Sequence, residues 1–197
     1  MTDTLLVATQ NRHKAVEIAD LLAGLPVTVV TLAEIDPDLD LPETGATFRE
    51  NARQKARAAA QLTGLLTLAD DSGLAIDALG GAPGVHSKRF APSDAARIAK
   101  VLDLLRDVPD ARRTARFHCA VCLAGPEGIV TEIEATVEGR ILYAPRGTQG
   151  FGYDPIFQPL GFDRTLAELD LAEKNAISHR GRAFCRAAAF LRERYAP

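Results

Sequence analysis

The sequence lacks three features that would each indicate a particular class of protein. It has no apolar run of about 18 residues or more, so we expect no transmembrane helix, and its first residues have neither the basic start nor the long apolar stretch of a secretory signal. It has no excess of positive charge, since the formal net charge is -3, and this argues against nucleic acid as the main partner. It has only three cysteines, and in a chain without an export signal the simplest account is free thiols in a reducing cytoplasm.

What is present is the composition of an ordinary globular domain. Hydrophobic residues make up 47% of the chain, which is enough to form a core. No internal repeat, low-complexity tract or linker rich in Pro, Gly or Ser marks a boundary. We therefore expect residues 1–197 to form a single domain, within which two lobes are possible.

Apolar runs alternate with segments of helical spacing in the first half, and strands then dominate before a helical C-terminus. The patterns predict strands over residues 4–8, 27–32, 65–69, 116–124 and 129–137, an extended segment over 73–79 and a weaker strand over 141–143. They predict helices over residues 15–22, 47–62, 93–105 and 178–194, the second of which begins with a capping box of Thr47 and Glu50. Hairpins and βα units coexist, so the expected fold class is α/β with a mixed sheet.

A polar loop lies between the first strand and the first helix. It comprises Thr9, Gln10, Asn11, Arg12, His13 and Lys14. A helix N-terminus binds anions readily, and the helix dipole disfavours the charge of Lys14 there unless an anion is nearby. The alternative is a solvated basic turn with Asn11 as N-cap, and the GxxxxGK[ST] pattern of a Walker A loop is absent.

Carboxylates form a second candidate site. Glu43 lies in an acidic loop, and Asp70, Asp71 and Ser72 follow an apolar run. Side chains alternate along an extended chain, so we expect Asp70 and Asp71 to point in different directions. Mg²⁺ prefers oxygen ligands and usually takes one or two carboxylates, whereas the alternative is a local turn at the end of a strand.

Three further segments carry polar or aromatic residues that could bind a ligand. Asn51 and Lys55 share one face of a helix, although a solvated face is the plainer interpretation. Phe151 lies between two glycines and could stack on a base, or it could pack inward at a turn. His179 and Arg180 follow Ser178 at the start of the last helix, where cations favour an acceptor-rich ligand or else face solvent.

The pair Cys119 and Cys122 has the CxxC spacing that zinc and redox sites use. The pair falls inside a predicted strand, whose period of two places the side chains on opposite faces. There is no second CxxC, and Cys185 is distant in the sequence. We therefore expect buried cysteines rather than a metal or redox module.

Each motif alone is weak, but together and in this order they resemble the inosine triphosphate pyrophosphatase family. The resemblance rests on Thr9-x-Asn11-x-x-Lys14, Glu43-Thr44-Gly45-x-Thr47-Phe48-x-Glu50-Asn51-Ala52, Lys55-Ala56, Ala69-Asp70-Asp71-Ser72-Gly73-Leu74, Gly80-Gly81-Ala82-Pro83-Gly84-Val85, Ser87-x-Arg89-Phe90, Gly150-Phe151-Gly152-Tyr153-Asp154-Pro155-Ile156-Phe157 and Ser178-His179-Arg180-Gly181. These blocks cover nearly the whole chain. Gln10, His13, His86 and Gln149 depart from the family's pattern and leave its charged residues intact.

The resemblance implies an elongated mixed β-sheet flanked by helices, with two lobes that enclose a nucleotide-binding cleft, in a cytoplasmic homodimer. It implies Mg²⁺-dependent hydrolysis of dITP, ITP and XTP to the monophosphate and pyrophosphate, which keeps these nucleotides out of DNA and RNA.

The resemblance also implies roles for individual residues. Asp71 matches the catalytic carboxylate and, with Glu43, would bind Mg²⁺, while Asp70 is a plausible helper. The residues matched to triphosphate binding are Thr9, Asn11, Lys14, Lys55 and Ser72. Gln10, Arg12 and His13 of the same loop are expected substrate-binding residues. The residues matched to base recognition are Phe151, Gly152, Tyr153, Asp154, Lys174, His179 and Arg180.

Two other functions remain open at this point. A related pyrophosphatase for pyrimidine or modified nucleotides would share the metal chemistry, but the Ser-His-Arg-Gly and Gly-Phe-Gly-Tyr-Asp blocks speak against it. A nucleotide sensor without turnover is the second, and the intact Asp70-Asp71 pair and both lysines speak against that.

Overall fold

The computed structural model describes residues 3–196, and within them six strands form one sheet. The strands are β1 (Asp3–Val7), β2 (Val27–Thr31), β3 (Leu66–Ile76), β4 (Thr114–Gly125), β5 (Gly128–Ile141) and β6 (Phe157–Pro159). Their order across the sheet is β2-β1-β3-β4-β5-β6. β1 runs parallel to both β2 and β3, whereas β5 and β6 are antiparallel, which confirms the expected mixed sheet.

The helices of the same residues are α1 (Arg12–Leu21), α2 (Leu32–Ile35), α3 (Phe48–Thr63), α4 (Asp94–Leu104), α5 (Leu171–Ile177) and α6 (His179–Arg194). Several predicted caps are present: Asn11 caps α1, Ser93 caps α4, and Thr47 and Glu50 form the capping box of α3. None of the helices among residues 3–196 combines the length and the apolar character needed to cross a membrane.

Two predicted breaks in strands are wrong. β3 runs without interruption from Leu66 to Ile76, so Asp70 and Asp71 lie inside the strand rather than after it. Carboxylates are costly inside a sheet unless cations neutralise them, and here buried cations do so. β5 likewise continues to Ile141, so residues 141–143 are not a separate strand.

The chain divides into two compact units. The first unit contains the described residues up to Asp71, residues 119–135 and the described residues from Arg180 onward. It has two apolar clusters, one around Leu5 and the other around Leu6. Successive residues of a strand face opposite ways, so these clusters lie on opposite faces of the sheet.

The prediction that both cysteines of the CxxC pair are buried is confirmed in this unit. Cys119 is buried in the Leu5 cluster and Cys122 in the Leu6 cluster. Burial raises the pKa of Cys122 to about 12, which leaves it a neutral thiol at physiological pH.

The second unit contains residues 72–118 and 136–179. Its core gathers apolar side chains of β3, α4, β4 and β5, together with buried residues of the segment that follows β5. Phe117 and Phe157 meet edge to face at its centre, with ring centroids 4.7 Å apart. This core supports the loop that carries Phe151, whose neighbour Tyr153 is buried in it.

Candidate active site

The two adjacent carboxylates of β3 contact different partners. Asp70 Oδ2 accepts a hydrogen bond from Lys14 Nζ at 2.8 Å and lies 3.7 Å from the Arg180 guanidinium. Asp71 Oδ2 accepts a hydrogen bond from Asn51 Nδ2 at 2.9 Å. The prediction that the two side chains point in different directions is therefore confirmed.

Asp70 is held in its charged form. Burial alone would raise its pKa, but Lys14, Arg180 and Lys55 outweigh burial and hold the pKa of Asp70 far below its ordinary value. Asp70 is only 2% exposed, so these cations are its main compensation for lost water. It is a permanent anion at neutral pH.

Asp71 behaves in the opposite way. Burial raises its pKa above the ordinary range, and Lys55 together with the hydrogen bond from Asn51 offsets that rise only in part. Two neighbouring carboxyl groups with pKa values pushed apart are typical of a site in which one carboxylate exchanges protons and the other does not. Asp71 is the one suited to accept a proton.

Lys55 and Asn51 lie on the buried face of α3, so the interpretation of a solvated face is wrong. Lys55 Nζ donates to Glu43 Oε1 at 2.7 Å and lies 3.7 Å from Asp71 Oδ1. Burial lowers the pKa of Lys55, but the surrounding carboxylates outweigh burial, and the net shift is upward. Lys55 therefore brings Glu43 and Asp71 to the same ammonium group.

Asn51 links the Glu43 loop to Asp71. Its Oδ1 accepts a hydrogen bond from Gly45 N at 2.8 Å, while its Nδ2 donates to Asp71. A Cβ at Gly45 would lie 2.5 Å from the Glu50 Cβ, so the loop approaches α3 too closely for any other residue. The side-chain amide is only 1% exposed, and it sets the orientation of the Asp71 carboxylate.

The donor set at this position suits a hard cation. Glu43 and Asp71 offer carboxylate oxygens on either side of Lys55. Within residues 3–196, no three His, Cys, Asp or Glu side chains converge on one point as a metal site does. Mg²⁺ commonly takes one or two protein carboxylates and completes its shell with water and substrate phosphates, so two carboxylates fit it.

α1 begins at Arg12, so Arg12, His13 and Lys14 of the predicted loop form the first turn of this helix. Lys14 reaches Asp70, and burial lowers the pKa of Lys14 while Asp70 opposes that shift. Asn11 accepts hydrogen bonds from His13 N and Lys14 N, at 3.0 and 3.2 Å, and Thr9 Oγ1 accepts one from Asn11 N at 3.2 Å.

The other members of this loop lie at the surface. Arg12 and His13 are exposed, as is Gln10, whose amide donates to the Leu39 carbonyl. Asn11 already occupies two of the amide donors at this end of α1, so an anion there would depend largely on the side-chain cations of the first turn.

Glu17 is a buried residue that the motifs did not identify. It is 4% exposed, and its Oε2 accepts a hydrogen bond from Arg180 Nη1 at 2.6 Å. Burial lowers the pKa of Arg180, but Asp70 and Glu17 outweigh burial and raise it. Arg180 thus lies with Asp70 and Glu17 in the first unit. The one available signal was the position of Glu17, three residues after Lys14 on the same helix.

The loop that carries Phe151 is organised by Asp154. Asp154 Oδ2 accepts hydrogen bonds from Phe151 N at 2.9 Å and from Lys174 Nζ at 2.6 Å. The Lys174 ammonium also lies 4.8 Å from the centroid of the Phe151 ring. Gly150 has φ of 70°, and a Cβ there would lie 2.2 Å from Asp154 Oδ2, so this position requires glycine.

Two other predicted base-binding residues are packed in the second unit. His179 is 3% exposed and stacks on Phe117, with ring centroids 4.6 Å apart and planes 7° apart. Tyr153 is also buried, and its hydroxyl donates to the Ser87 carbonyl at 2.9 Å. Ser72 is half-buried in β3, next to Asp71 in the chain.

The structure therefore divides the predicted residues into two groups. The charged cluster of the first unit comprises Lys14, Glu17, Glu43, Asn51, Lys55, Asp70, Asp71 and Arg180. The aromatic loop of the second unit, Gly150–Asp154, carries Phe151 and is bound to Lys174.

Comparisons with known proteins find relatives that match nearly the whole chain. A model of the Ham1 family matches residues 5–190. A dITP/XTP pyrophosphatase of Gloeobacter violaceus is 52% identical over 179 residues, which cover 91% of this chain and 89% of that protein. A dITP/XTP pyrophosphatase of Desulforamulus reducens is 47% identical over 194 residues, which cover 97% and 96%.

Solved structures are similar over the same length. A HAM1 protein from Coxiella burnetii is 45% identical with a TM-score of 0.88, and the match covers 98% of this chain and all of that one. The Ham1 protein of Staphylococcus aureus is 37% identical with a TM-score of 0.86, with the same coverage. The expected α/β fold is thus confirmed.

Proposed function

Because the chain belongs to the Ham1 family, we propose that it is a pyrophosphatase for aberrant purine nucleoside triphosphates. Its substrates are dITP, ITP and XTP or dXTP, which it hydrolyses to the monophosphate and pyrophosphate. Removing these nucleotides keeps them from incorporation into DNA and RNA. The names of the relatives support this choice of substrate.

The observation that carries the proposal is the arrangement of the two adjacent carboxylates: Lys14 donates a hydrogen bond to Asp70, whereas Asn51 donates one to Asp71, beside Lys55. Asp70 is a fixed anion among buried cations, and Asp71 is a buried carboxylate with a raised pKa. A raised pKa makes a carboxylate a better proton acceptor near neutral pH. This supports Asp71 as the catalytic residue, which takes a proton from the attacking water.

Asp71 and Glu43 are the residues that would hold Mg²⁺. When bound, the ion would stabilise negative charge on the phosphate oxygens. Two neighbouring side chains orient these carboxylates: Lys55 contacts Glu43 at 2.7 Å, and Asn51 contacts Asp71 at 2.9 Å.

Lys14 and Lys55 supply the positive charge that a triphosphate needs. Both ammonium groups already face carboxylates, so their positions are set before substrate binds. Such preorganised charge is the main catalytic resource in phosphoryl chemistry. Thr9, Asn11 and Ser72 complete the proposed phosphate-binding set, and Gln10, Arg12 and His13 stay predicted contacts at its rim.

Phe151 is proposed to stack on the base, with Gly152 and Tyr153 shaping its loop. Asp154, Lys174 and His179 supply polar groups for the edge of the base. Hypoxanthine and xanthine carry a 6-oxo acceptor where adenine carries an amino donor, so a donor to the 6-position favours the former by up to about 10⁴-fold. Arg180 is engaged by Glu17 and Asp70, and its contact with the base stays a prediction.

We further propose a cytoplasmic homodimer that depends on magnesium, as the resemblance implies. Light scattering of the purified protein should give twice the mass of the chain, and a monomer at micromolar concentration would contradict the dimer. Chelation of divalent cations should abolish turnover, and readdition of Mg²⁺ should restore it.

The substrate proposal is tested by pyrophosphate release with Mg²⁺ from dITP, XTP, dATP, dGTP, dCTP and dTTP. We expect rapid release from dITP and XTP and slow release from the others. Preferred hydrolysis of pyrimidine nucleotides would assign the protein to a different substrate class. Binding of nucleotide without release from any of them would make it a sensor.

A further inference from the structure

The orientation of the Phe151 ring depends on a loop that contains a glycine on each side of it. Gly150 and Gly152 flank Phe151 with φ of 70° and 63°. Glycine adopts positive φ at little steric cost. A segment rich in glycine, however, loses much conformational entropy when it is held in one conformation. A ring that stacks on a base therefore needs hydrogen bonds to its backbone that hold the loop in place.

Two carboxylates accept the successive backbone N–H groups of this loop. Asp154 Oδ2 accepts from Phe151 N at 2.9 Å, and Asp94 Oδ2 accepts from Gly152 N at 2.7 Å. Asp154 belongs to the same short segment. Asp94 is 58 residues away, at the first position of α4, and so it ties the loop to a helix.

Asp94 is itself fixed by its surroundings. Ser93 caps α4 by accepting a hydrogen bond from Ala96 N at 3.2 Å. The second oxygen of Asp94 accepts from the guanidinium of Arg97, which also donates to the Lys88 carbonyl. The helix cap and the contact with Arg97 therefore hold the Asp94 carboxylate in the position where it accepts the hydrogen bond from Gly152 N.

We propose that Asp94 is a positioning residue for base recognition, whose carboxylate fixes Gly152 and thereby the Phe151 ring that stacks on the purine. The inference rests on the proposed function, in which Phe151 contacts the base. Asp94 belongs to the second unit, where its carboxylate contacts Gly152 and Arg97. Its effect falls on base binding rather than on the chemistry of the triphosphate.

This role has a kinetic signature. An interaction made equally in the ground state and the transition state affects KM and leaves kcat unchanged. A loss of folded protein has the reverse signature, because it lowers apparent kcat at constant KM. The two parameters therefore separate positioning of the ring from a general structural role.

The test compares three variants: Asp94→Ala, Asp94→Asn and Asp103→Asn. Asp103 is the matched control, because it lies on the same helix and forms the same type of ion pair with an arginine three residues later. For Asp94→Ala we expect KM for dITP to rise about 10-fold at nearly constant kcat, since a lost hydrogen bond to a charged group changes affinity by about that factor. Asp94→Asn keeps a neutral acceptor and should be intermediate, and Asp103→Asn should match wild type.

A binding measurement distinguishes an effect on recognition of the base from an effect on recognition of the phosphates. Calorimetry with dIMP should show weaker binding to Asp94→Ala by the same factor, whereas inorganic tripolyphosphate should bind all variants equally. The proposal is overturned by an unchanged KM, by Ala and Asn variants that behave alike, or by equal loss of both ligands. If Asp94→Ala does not fold, an unchanged KM in Asp94→Asn overturns it. If wild-type protein binds dIMP but releases no pyrophosphate, the proposed function is refuted and the role of Asp94 in base binding is not.

Discussion

At the scale of single residues, charge neutralisation governs the candidate site. Asp70, Arg180 and Glu17 are buried and Lys14 is partly buried, and the four follow one another through contacts of 2.8, 3.7 and 2.6 Å. A buried charge is tolerated only when a partner compensates for its lost hydration. Burial lowers the pKa of Lys14, and the adjacent Asp70 carboxylate opposes that shift without overcoming it.

Replacing Lys14 by alanine tests its role toward the triphosphate. We expect Lys14→Ala to lower kcat for dITP by about 10²-fold in addition to raising KM, because its charge is placed where negative charge develops. Arg57→Ala removes an exposed cation from α3 and should leave both constants unchanged. An effect of Lys14→Ala on KM alone would show that Lys14 binds ground state and transition state equally.

The sequence predicts some of these residues better than others. The opposite orientation of Asp70 and Asp71 follows from the period of a strand, which is a local property. The role of Glu17 does not, because its partner Arg180 is 163 residues away. Asp94 is likewise identified only when the chain is folded and α4 meets the Phe151 loop.

At the scale of elements, α3 carries the groups that orient Asp71. Thr47 Oγ1 accepts from Glu50 N at 3.1 Å, and the Glu50 carboxylate accepts from the amides of Ala46 and Thr47 at 2.7 and 3.1 Å. The capping box thus starts the helix and fixes the end of the Glu43 loop with the same side chains.

Removing this cap should destabilise the protein. We expect Thr47→Ala to lower the free energy of unfolding by about 1 kcal/mol, since it leaves an amide of the first turn without its acceptor. Urea unfolding followed by circular dichroism measures this change. Gln61→Ala, at an exposed position of the same helix, should change stability by less than about 0.5 kcal/mol. Equal effects of the two substitutions would contradict the role of the cap.

Elements were predictable where local patterns were strong. The capping box and the hairpin of β4 and β5, which are joined by two residues, follow from the sequence. The continuity of β3 does not, because charged residues inside a strand are stable only beside cations from distant elements. α5 was missed, although Asp170 and Glu173 form a capping box at its start.

At the scale of the whole molecule, the two carboxylates make opposite contributions to stability. The pKa of Asp70 is lowered in the folded state, so its contribution is present above its ordinary pKa of 3.8 and is lost as pH falls below that value. The pKa of Asp71 is raised in the folded state, so its charged form opposes folding at neutral pH. Asp71, the residue that the proposed chemistry uses, therefore lowers the stability of the folded protein.

Neutral isosteres at the two positions should separate these contributions. At pH 7 we expect Asp70→Asn to be less stable than wild type by about 3 kcal/mol, because it leaves buried cations without their anion. The difference should shrink as pH falls below about 4, where the ordinary carboxyl group is protonated in the unfolded chain. Asp71→Asn should be no less stable than wild type at pH 7.

Urea midpoints for the three proteins between pH 7 and about pH 2 provide the comparison, because the contribution of Asp70 is lost below its ordinary pKa. If Asp71→Asn lost as much stability as Asp70→Asn, the opposite pKa shifts would be refuted. A pH-independent deficit in Asp70→Asn would show that packing, rather than charge, accounts for its effect.

The most direct measurement is pyrophosphate release from dITP with Mg²⁺, by wild-type protein and Asp71→Asn purified in parallel. The stability comparison checks that Asp71→Asn is folded, so that lost activity reports on the site rather than on unfolding. The account predicts release by wild type and a decrease of about 10³-fold in kcat for the variant, because the variant loses the proton-accepting carboxylate. Turnover by Asp71→Asn close to that of wild type would contradict it.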